Sequence, residues 1–566
     1  MKRSLALVST LIALVAASAQ QASAQLRSDA TWSEAYFPSA DGITKLHADI
    51  LRPTGLAPTV KTPVVLTASP YTNHSGQTTD FDPQAVGPSN RFYDFLDLSQ
   101  LLSHGYTYVM VDLPGFGGSG GCNDWGGNRE QLAVKSAVEW AASRPWSTGK
   151  VALFGKSYDG WTGLMGIAQQ PTGLAAVISM EPVYAGYNYL YNNGVRFGTS
   201  LEEAALFDAI DAKPGSTSDS SDYFTNGAAE AWCYGVNIAL QQQDDPNSAF
   251  WRERNLLPAV AGATTPLFLT QGYLEDNTKP DAAFAFWSQM TGPKRAWFGQ
   301  WDHCRPWETY GACKGTGNDQ LALGKTGFVD EIMRFLDYYV KGVPAKRAPT
   351  AKDPRVEVQD STGRFRPEPA WPPADSSLVW NALRTGTYTD DGDNNGTGSP
   401  SGEGVWTFSQ PLPYTVRLAG EPVLNVRVDA TAANANLVAD VYDVAPDGTS
   451  TLVSRGAQLL RGTGQQQATL TMYGEDWVFD PGHRIGVLIS GANAEWWVHV
   501  PTMQDVTVLS SKIALPFLRY ERTKFLDGTA TPKLTSWLKN GVIQVTNATV
   551  TANQSTLVLP PKLRSR

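Results

Sequence analysis

Short apolar runs punctuate the first third of the chain. Pro63–Ser69, Tyr106–Asp112, Val151–Phe154 and Leu174–Met180 are each closed off by polar, Gly or Pro residues. Runs of this length and bounding predict strands buried on both faces. Between them the apolar spacing becomes helical. Leu132, Ala133, Ala137, Trp140 and Ala141 line one face of 129–143, and Trp161, Leu164, Met165 and Ala168 share a face further on. Phe95–His104 fits a short helix, and Trp32–Ile50, partly alternating around Asp41-Gly42, predicts an opening hairpin. The rhythm returns with Pro266–Thr270, a helix near Asp281–Met290, Lys294–Phe298, and a closing helix over Phe328–Val340 that puts Ile332, Phe335, Leu336 and Tyr339 on one side. Strands alternating with helices predict a mostly parallel α/β sheet covered on both faces.

Two stretches break the rhythm. Residues 181–255 are rich in Tyr, Asn, Ala and Gln and predict a mainly helical insertion. Its place in the order sets it over the carboxyl ends of the strands, where ligands bind in open α/β sheets. Residues 343–376 are proline-rich and lack periodicity, which predicts a linker. Beyond it, runs such as Pro422–Val428, Leu437–Val441, Ala468–Met472 and Arg484–Ser490 are separated by turn signals, including Pro446-Asp-Gly448 and Asp480-Pro-Gly482. Those predict an all-β sandwich of jelly-roll type over 377–566. The catalytic-type core is then 25–180 plus 256–342.

Composition narrows the picture. With 566 residues the chain exceeds a single core. A net charge of -9 provides no basic surface for nucleic acid or anionic lipid. Lys2 and Arg3, the apolar run Leu5–Ala17 and Ala22-Ser-Ala24 read as a secretory signal peptide over 1–24, which implies a secreted protein without a membrane anchor. Four cysteines, Cys122, Cys233, Cys304 and Cys313, favour disulfides in an exported chain. The short loop favours Cys304–Cys313, which leaves Cys122–Cys233. The glycine-rich loop Pro114–Gly121 lacks the Gly-Lys-Ser/Thr ending of a phosphate-binding loop. Asp391-x-Asp393-x-Asn395-Gly396 opens like a calcium loop, but Gly402 stands where the bidentate Glu belongs. No cofactor or metal is expected.

The chemistry gathers around Gly155-Lys-Ser157-Tyr-Asp-Gly160. A strand, a tight glycine-flanked turn with a central serine, and a helix make up a nucleophile elbow. One extra residue separates Ser157 from the second glycine. A serine hydroxyl needs a base, and the base needs an orienting acid. Both follow in the order Ser, acid, His, each after a later strand: Gly272-Tyr-Leu-Glu275-Asp276 and Gly299-Gln-Trp-Asp302-His303. The backbone N–H of Tyr158 and the hydroxyl of Tyr71 are the candidate oxyanion donors.

These motifs, with Pro70-Tyr71, the loop 112–121 and the C-terminal sandwich, resemble the family of Xaa-Pro dipeptidyl-peptidases, cocaine esterase-like hydrolases and α-amino acid ester hydrolases. The resemblance implies an α/β-hydrolase core with a helical cap insertion and a C-terminal jelly roll. It also implies a Ser-Asp-His triad with a tyrosine in the oxyanion hole, carried here by Ser157, His303 and Tyr71. The family's acid is usually Asp in Gly-x-x-Asp. Counting from Gly272 lands on Glu275, and Asn277-Thr-Lys-Pro280 aligns the same residue, with Asp276 as the alternative. Family members cleave either N-terminal dipeptides ending in proline or esters and β-lactam side chains. A dipeptidase needs a carboxylate for the substrate ammonium, for which Glu181, Glu202 and Glu203 are candidates. It also needs an aromatic slot, for which Trp161, Tyr187 and Trp307 are candidates. Gly-Lys-Ser-Tyr and Asn-x-Lys-Pro favour the peptidase branch. An acyl-ester hydrolase is the alternative, and a non-catalytic extracellular binding protein a third reading.

Overall fold

The computed structural model describes residues 26–74, 76–77, 86–200, 203–211, 219, 223, 235–309, 311–314, 321–373, 375–392, 403–493, 496–560 and 562–564. The leader, Cys233, Glu202 and most of the calcium-like loop lie outside them.

The core is a ten-stranded sheet. In chain order its strands are β1 (Ala30–Pro38), β2 (Lys45–Pro53), β3 (Thr62–Ser69), β4 (Thr107–Asp112), β5 (Ser147–Lys156), β6 (Leu174–Met180), β7 (Leu267–Gly272), β8 (Lys294–Gly299), β9 (Val356–Gln359) and β10 (Phe365–Glu368). Their spatial order is β1-β2-β4-β3-β5-β6-β7-β8-β9-β10. The stretch from β4 to β9 is parallel, and the hairpin β1–β2 and the edge strand β10 are antiparallel.

The central strands are apolar throughout because both faces are covered. In β5, Val151 and Leu153 join one core cluster while Ala152 and Phe154 join the other. Alternate side chains point to opposite faces, so each layer draws every second residue. Helices α1 (Asn128–Ala142), α2 (Tyr158–Gln169) and α3 (Ala283–Gln289) pack in the first layer, and Phe328–Leu336 with Tyr93–Ser99 in the second.

The structure revises two expectations. The stretch 343–376 carries β9 and β10, which extend the core sheet, so it is not an unstructured linker. Both strands are short, and Pro367 in β10 is tolerated because that strand is the sheet's edge. The insertion 181–255 holds short helices, Gly186–Leu190, Glu203–Asp211, Val236–Leu240 and Ala249–Glu253. It also holds a strand pair, Tyr191–Asn192 with Val195–Phe197, which continues onto Trp497–Val498 of the C-terminal half.

The C-terminal half is two antiparallel sheets enclosing their own apolar core. It grips the α/β half through buried charges. Arg366 on β10 holds Asp476 through both guanidinium nitrogens, one at 2.8 Å, and Glu368 at 2.8 Å. Gln300, just past β8, donates to Glu475.

Candidate active site

Ser157 occupies the turn between β5 and α2 with φ 65° and ψ -127°, a conformation that L-residues rarely adopt. Its neighbours account for the motif's spacing. A Cβ on Gly155 would sit 2.4 Å from backbone atoms of Asp159, and one on Gly160 would sit 2.9 Å from the Met180 carbonyl. The second glycine is thus required where α2 crosses β6. Asp159 stands where the usual motif has glycine, and its carboxylate accepts from Arg91 Nε at 2.5 Å. The Arg91 guanidinium in turn lies 4.0 Å from the centre of the Tyr71 ring.

Tyr71 brings its hydroxyl within hydrogen-bonding reach of the Ser157 side chain. Burial raises its pKa above the usual phenol range, so it remains a donor. The Tyr158 N–H belongs to the first turn of α2, where amide donors have no intrahelical acceptor. The Tyr158 ring is fixed by its hydroxyl, which donates to Glu130 at 2.6 Å.

His303 follows β8. Its Nδ1 lies 3.0 Å from Glu275 Oε2 and 3.2 Å from Thr278 Oγ1. Glu275 is fully buried, and its other oxygen accepts the N–H groups of Asn277 (2.7 Å) and Thr278 (3.1 Å). Burial first, then the nearby Asp302 and Asp276, push the Glu275 carboxyl well above its ordinary pKa. Burial and the Lys156 ammonium pull His303 down to about 3, so the imidazole is neutral. Asp276 does not touch the ring. Its half-exposed carboxylate lies 3.4 Å from Lys533 Nζ, which also pairs with Asp302 at 2.8 Å. The Cys304–Cys313 disulfide closes the loop beside His303. Cys122 is also disulfide-bonded.

Among the described residues no hydrogen bond joins His303 to Ser157. Thr278 lines the Ser157 cavity and its hydroxyl also lies 3.2 Å from His303 Nδ1. With Nδ1 turned to Glu275, Nε2 is the ring nitrogen left without that partner. Such contacts are commonly long in unliganded sites and tighten with substrate.

A narrow cleft at Ser157, with only about 10 Å³ of free space, is lined by Tyr71, Trp125, Tyr158, Trp161, Val183, Tyr189, Glu203 and Thr278. Trp161 is its buried aromatic wall, packed edge-on to Trp125. Glu203, from the insertion, is bonded by the Tyr189 hydroxyl, and burial raises its pKa to about 7.

Three sequence candidates face elsewhere. Glu181 is fully buried with both oxygens engaged, one by the Gly272 N–H at 2.9 Å and one by Trp301 Nε1 at 2.9 Å. It braces the acid loop and does not line the cavity. Tyr187 stacks on Tyr191 and donates to the Asp244 carbonyl at 3.0 Å, which is packing within the insertion. Trp307 stacks on Phe95 and donates to Asp94 at 2.7 Å. Trp125 and Thr278 were missed, because Trp125 belongs to no motif, Thr278 carries no assigned role within Asn277-Thr-Lys-Pro280, and only the fold brings them to the serine.

A family model for X-Pro dipeptidyl-peptidase (S15 family) matches residues 41–305. A second, for the X-Pro dipeptidyl-peptidase C-terminal non-catalytic domain, matches residues 349–463. A Streptomyces avermitilis protein provisionally named Xaa-Pro dipeptidyl-peptidase is 24% identical over 459 residues, covering 72% of this chain and 63% of its own length. The chain thus spans just under two thirds of that relative. Among solved structures, a CocE/NonD family hydrolase of Staphylococcus aureus superposes with TM-score 0.65 at 16% identity, covering 87% of this chain and 98% of its own. An α-amino acid ester hydrolase gives TM-score 0.59 at 17% identity, covering 88% and 98%. These likenesses establish the fold.

Proposed function

The chain belongs to the family of X-Pro dipeptidyl-peptidases, and from that premise we propose that it is an exported serine hydrolase releasing N-terminal dipeptides with penultimate proline. The observation that carries this reading is the shared cavity, in which a strained serine, a tyrosine hydroxyl, an aromatic wall and a carboxylate lie together. His303 Nε2 takes the Ser157 proton as Oγ attacks the substrate carbonyl, and later returns it to the leaving amine. Glu275 holds the proton on Nδ1 and stabilises the imidazolium. The Tyr71 hydroxyl and the Tyr158 N–H receive the oxyanion. Glu203 binds the substrate's ammonium, and the small pocket against Trp161 takes the proline ring. Export is supported by the charged, apolar, Ala-x-Ala leader and by the disulfide next to the base.

The test compares a chromogenic Ala-Pro amide with its N-blocked form and with a short-chain phenyl ester. Preference for the unblocked amide is expected. Equal hydrolysis of blocked and free substrates would refute the peptidase reading and favour the acyl-ester alternative. Glu203→Gln is expected to raise KM for the free amine alone.

A further inference from the structure

On the edge of the core sheet away from Ser157, two histidines and two carboxylates from the first strands converge. His47 and Asp49 lie on β2, Glu34 on β1 and His74 just past β3. His47 Nε2 is 3.2 Å from Glu34 Oε1 and 4.0 Å from Asp49 Oδ1. His74 Nε2 is 3.0 Å from Asp49 Oδ1 and 3.9 Å from Glu34 Oε1. We propose that His47 Nε2, His74 Nε2 and Glu34, whose ligand atoms all lie within 4.8 Å of one another, form a structural site for one divalent cation of the zinc type.

The distances suit that ion. Bonds of about 2.0–2.1 Å in a tetrahedron put ligand atoms about 3.3–3.4 Å apart. The two Glu34–histidine separations, 3.2 and 3.9 Å, bracket this spacing, and Asp49, whose Oδ1 accepts from Trp32 Nε1 at 2.7 Å, flanks the site. Two imidazoles bound through Nε2 at the tetrahedral angle would have ring centres about 5.2 Å apart. Here they are 5.0 Å apart, with the planes at 81°.

The surrounding shell also fits. His47 Nδ1 is held by Asp112 Oδ2 at 2.9 Å and His74 Nδ1 by Asp219 Oδ2 at 2.7 Å. A carboxylate behind each ring fixes the tautomer that presents Nε2 as a ligand, the usual arrangement behind metal-bound histidines. Asp112 is itself oriented by the Gly118 N–H at 2.8 Å and Thr72 Oγ1 at 2.5 Å. Tyr223 stacks on His74 at 3.8 Å and closes the site with a residue of the insertion. The ion would tie the opening hairpin to the loop that carries Tyr71 and to the insertion above it. Sequence reading misses such a set, because its ligands follow no metal-binding spacing.

The test uses the full chain carrying Ser157→Ala, so that its readouts do not depend on turnover. Expected results are one equivalent of zinc after dialysis, a lower Tm in chelator that zinc restores, and the intense visible bands of tetrahedral cobalt on substitution. His47→Gln and His74→Gln should abolish the cobalt bands. Asp219→Asn, which leaves the ligands in place, should weaken affinity about 10–100-fold. No metal uptake by the folded protein, or uptake unchanged in both histidine variants, would overturn the proposal.

Discussion

Replacing Glu275 by Gln and Asp276 by Asn separates two adjacent carboxyls by their surroundings. In Glu275→Gln the side-chain oxygen is expected to retain the Asn277 and Thr278 N–H groups, because two donors converge on it. The new NH2 then faces His303 Nδ1, where the carboxylate oxygen stood at 3.0 Å. It can only donate, so Nδ1 must accept and the ring proton moves to Nε2. A protonated Nε2 cannot take the Ser157 proton. Loss of the right tautomer in such triads costs about 10⁴-fold in kcat, or about 5.4 kcal/mol. Asp276→Asn breaks only a half-exposed pair at 3.4 Å, whose other partner, Lys533, keeps Asp302. Such pairs contribute at most about 1 kcal/mol, a few-fold in rate. The assay is kcat and KM on the Ala-Pro amide, with Tm measured for both variants to exclude unfolding. Equal, small losses would refute the tautomer argument, and a larger loss in Asp276→Asn would reverse the assignment.

Tyr71→Phe is expected to lower kcat by about 10²–10³-fold with KM little changed, since the hydroxyl serves the oxyanion and not the bound ground state; an unchanged kcat would remove Tyr71 from the mechanism. For free-amine substrates kcat/KM should fall as pH drops through about 7, because Glu203, with its pKa raised to that value, is protonated below it and no longer attracts an ammonium. For esters lacking an amine the fall should come at lower pH, because His303, depressed to about 3, stays an unprotonated base; coincident acid limbs for the two substrates would contradict this assignment. Lys533→Met leaves Asp302 and Asp276 uncompensated near His303 and so raises its pKa. The acid limb of the ester profile should then move to higher pH, with Lys533→Arg restoring it.

The strand–turn–helix around Ser157 was legible because everything that defines it lies within one continuous stretch. An apolar strand, a glycine on each side and a helical face require no partner to be recognised. His303 could be found because rarity and chain order coincide, with only six histidines in the chain. The strand β9 was not legible: Val356–Gln359 is only four residues long, and its partners β8 and β10 are supplied by the fold. The substrate side of the cavity resisted for another reason. Glu181 and Glu203 both sit in or beside the insertion, and only three-dimensional packing decides that one braces a loop while the other lines the pocket. Composition cannot distinguish them.

The loop that carries His303 is reached from behind by the sandwich. Thr531 donates to the Gln300 carbonyl, Lys533 holds Asp302, and Glu475 receives the Gln300 amide. The C-terminal half therefore cannot be traded as a module. A chimera that borrows another family member's sandwich must import 299–303, 475–476 and 531–533 together, or the imidazole loses its backing. Any molecule that tugs on the sandwich surface would act on the 300–302 loop through these three contacts.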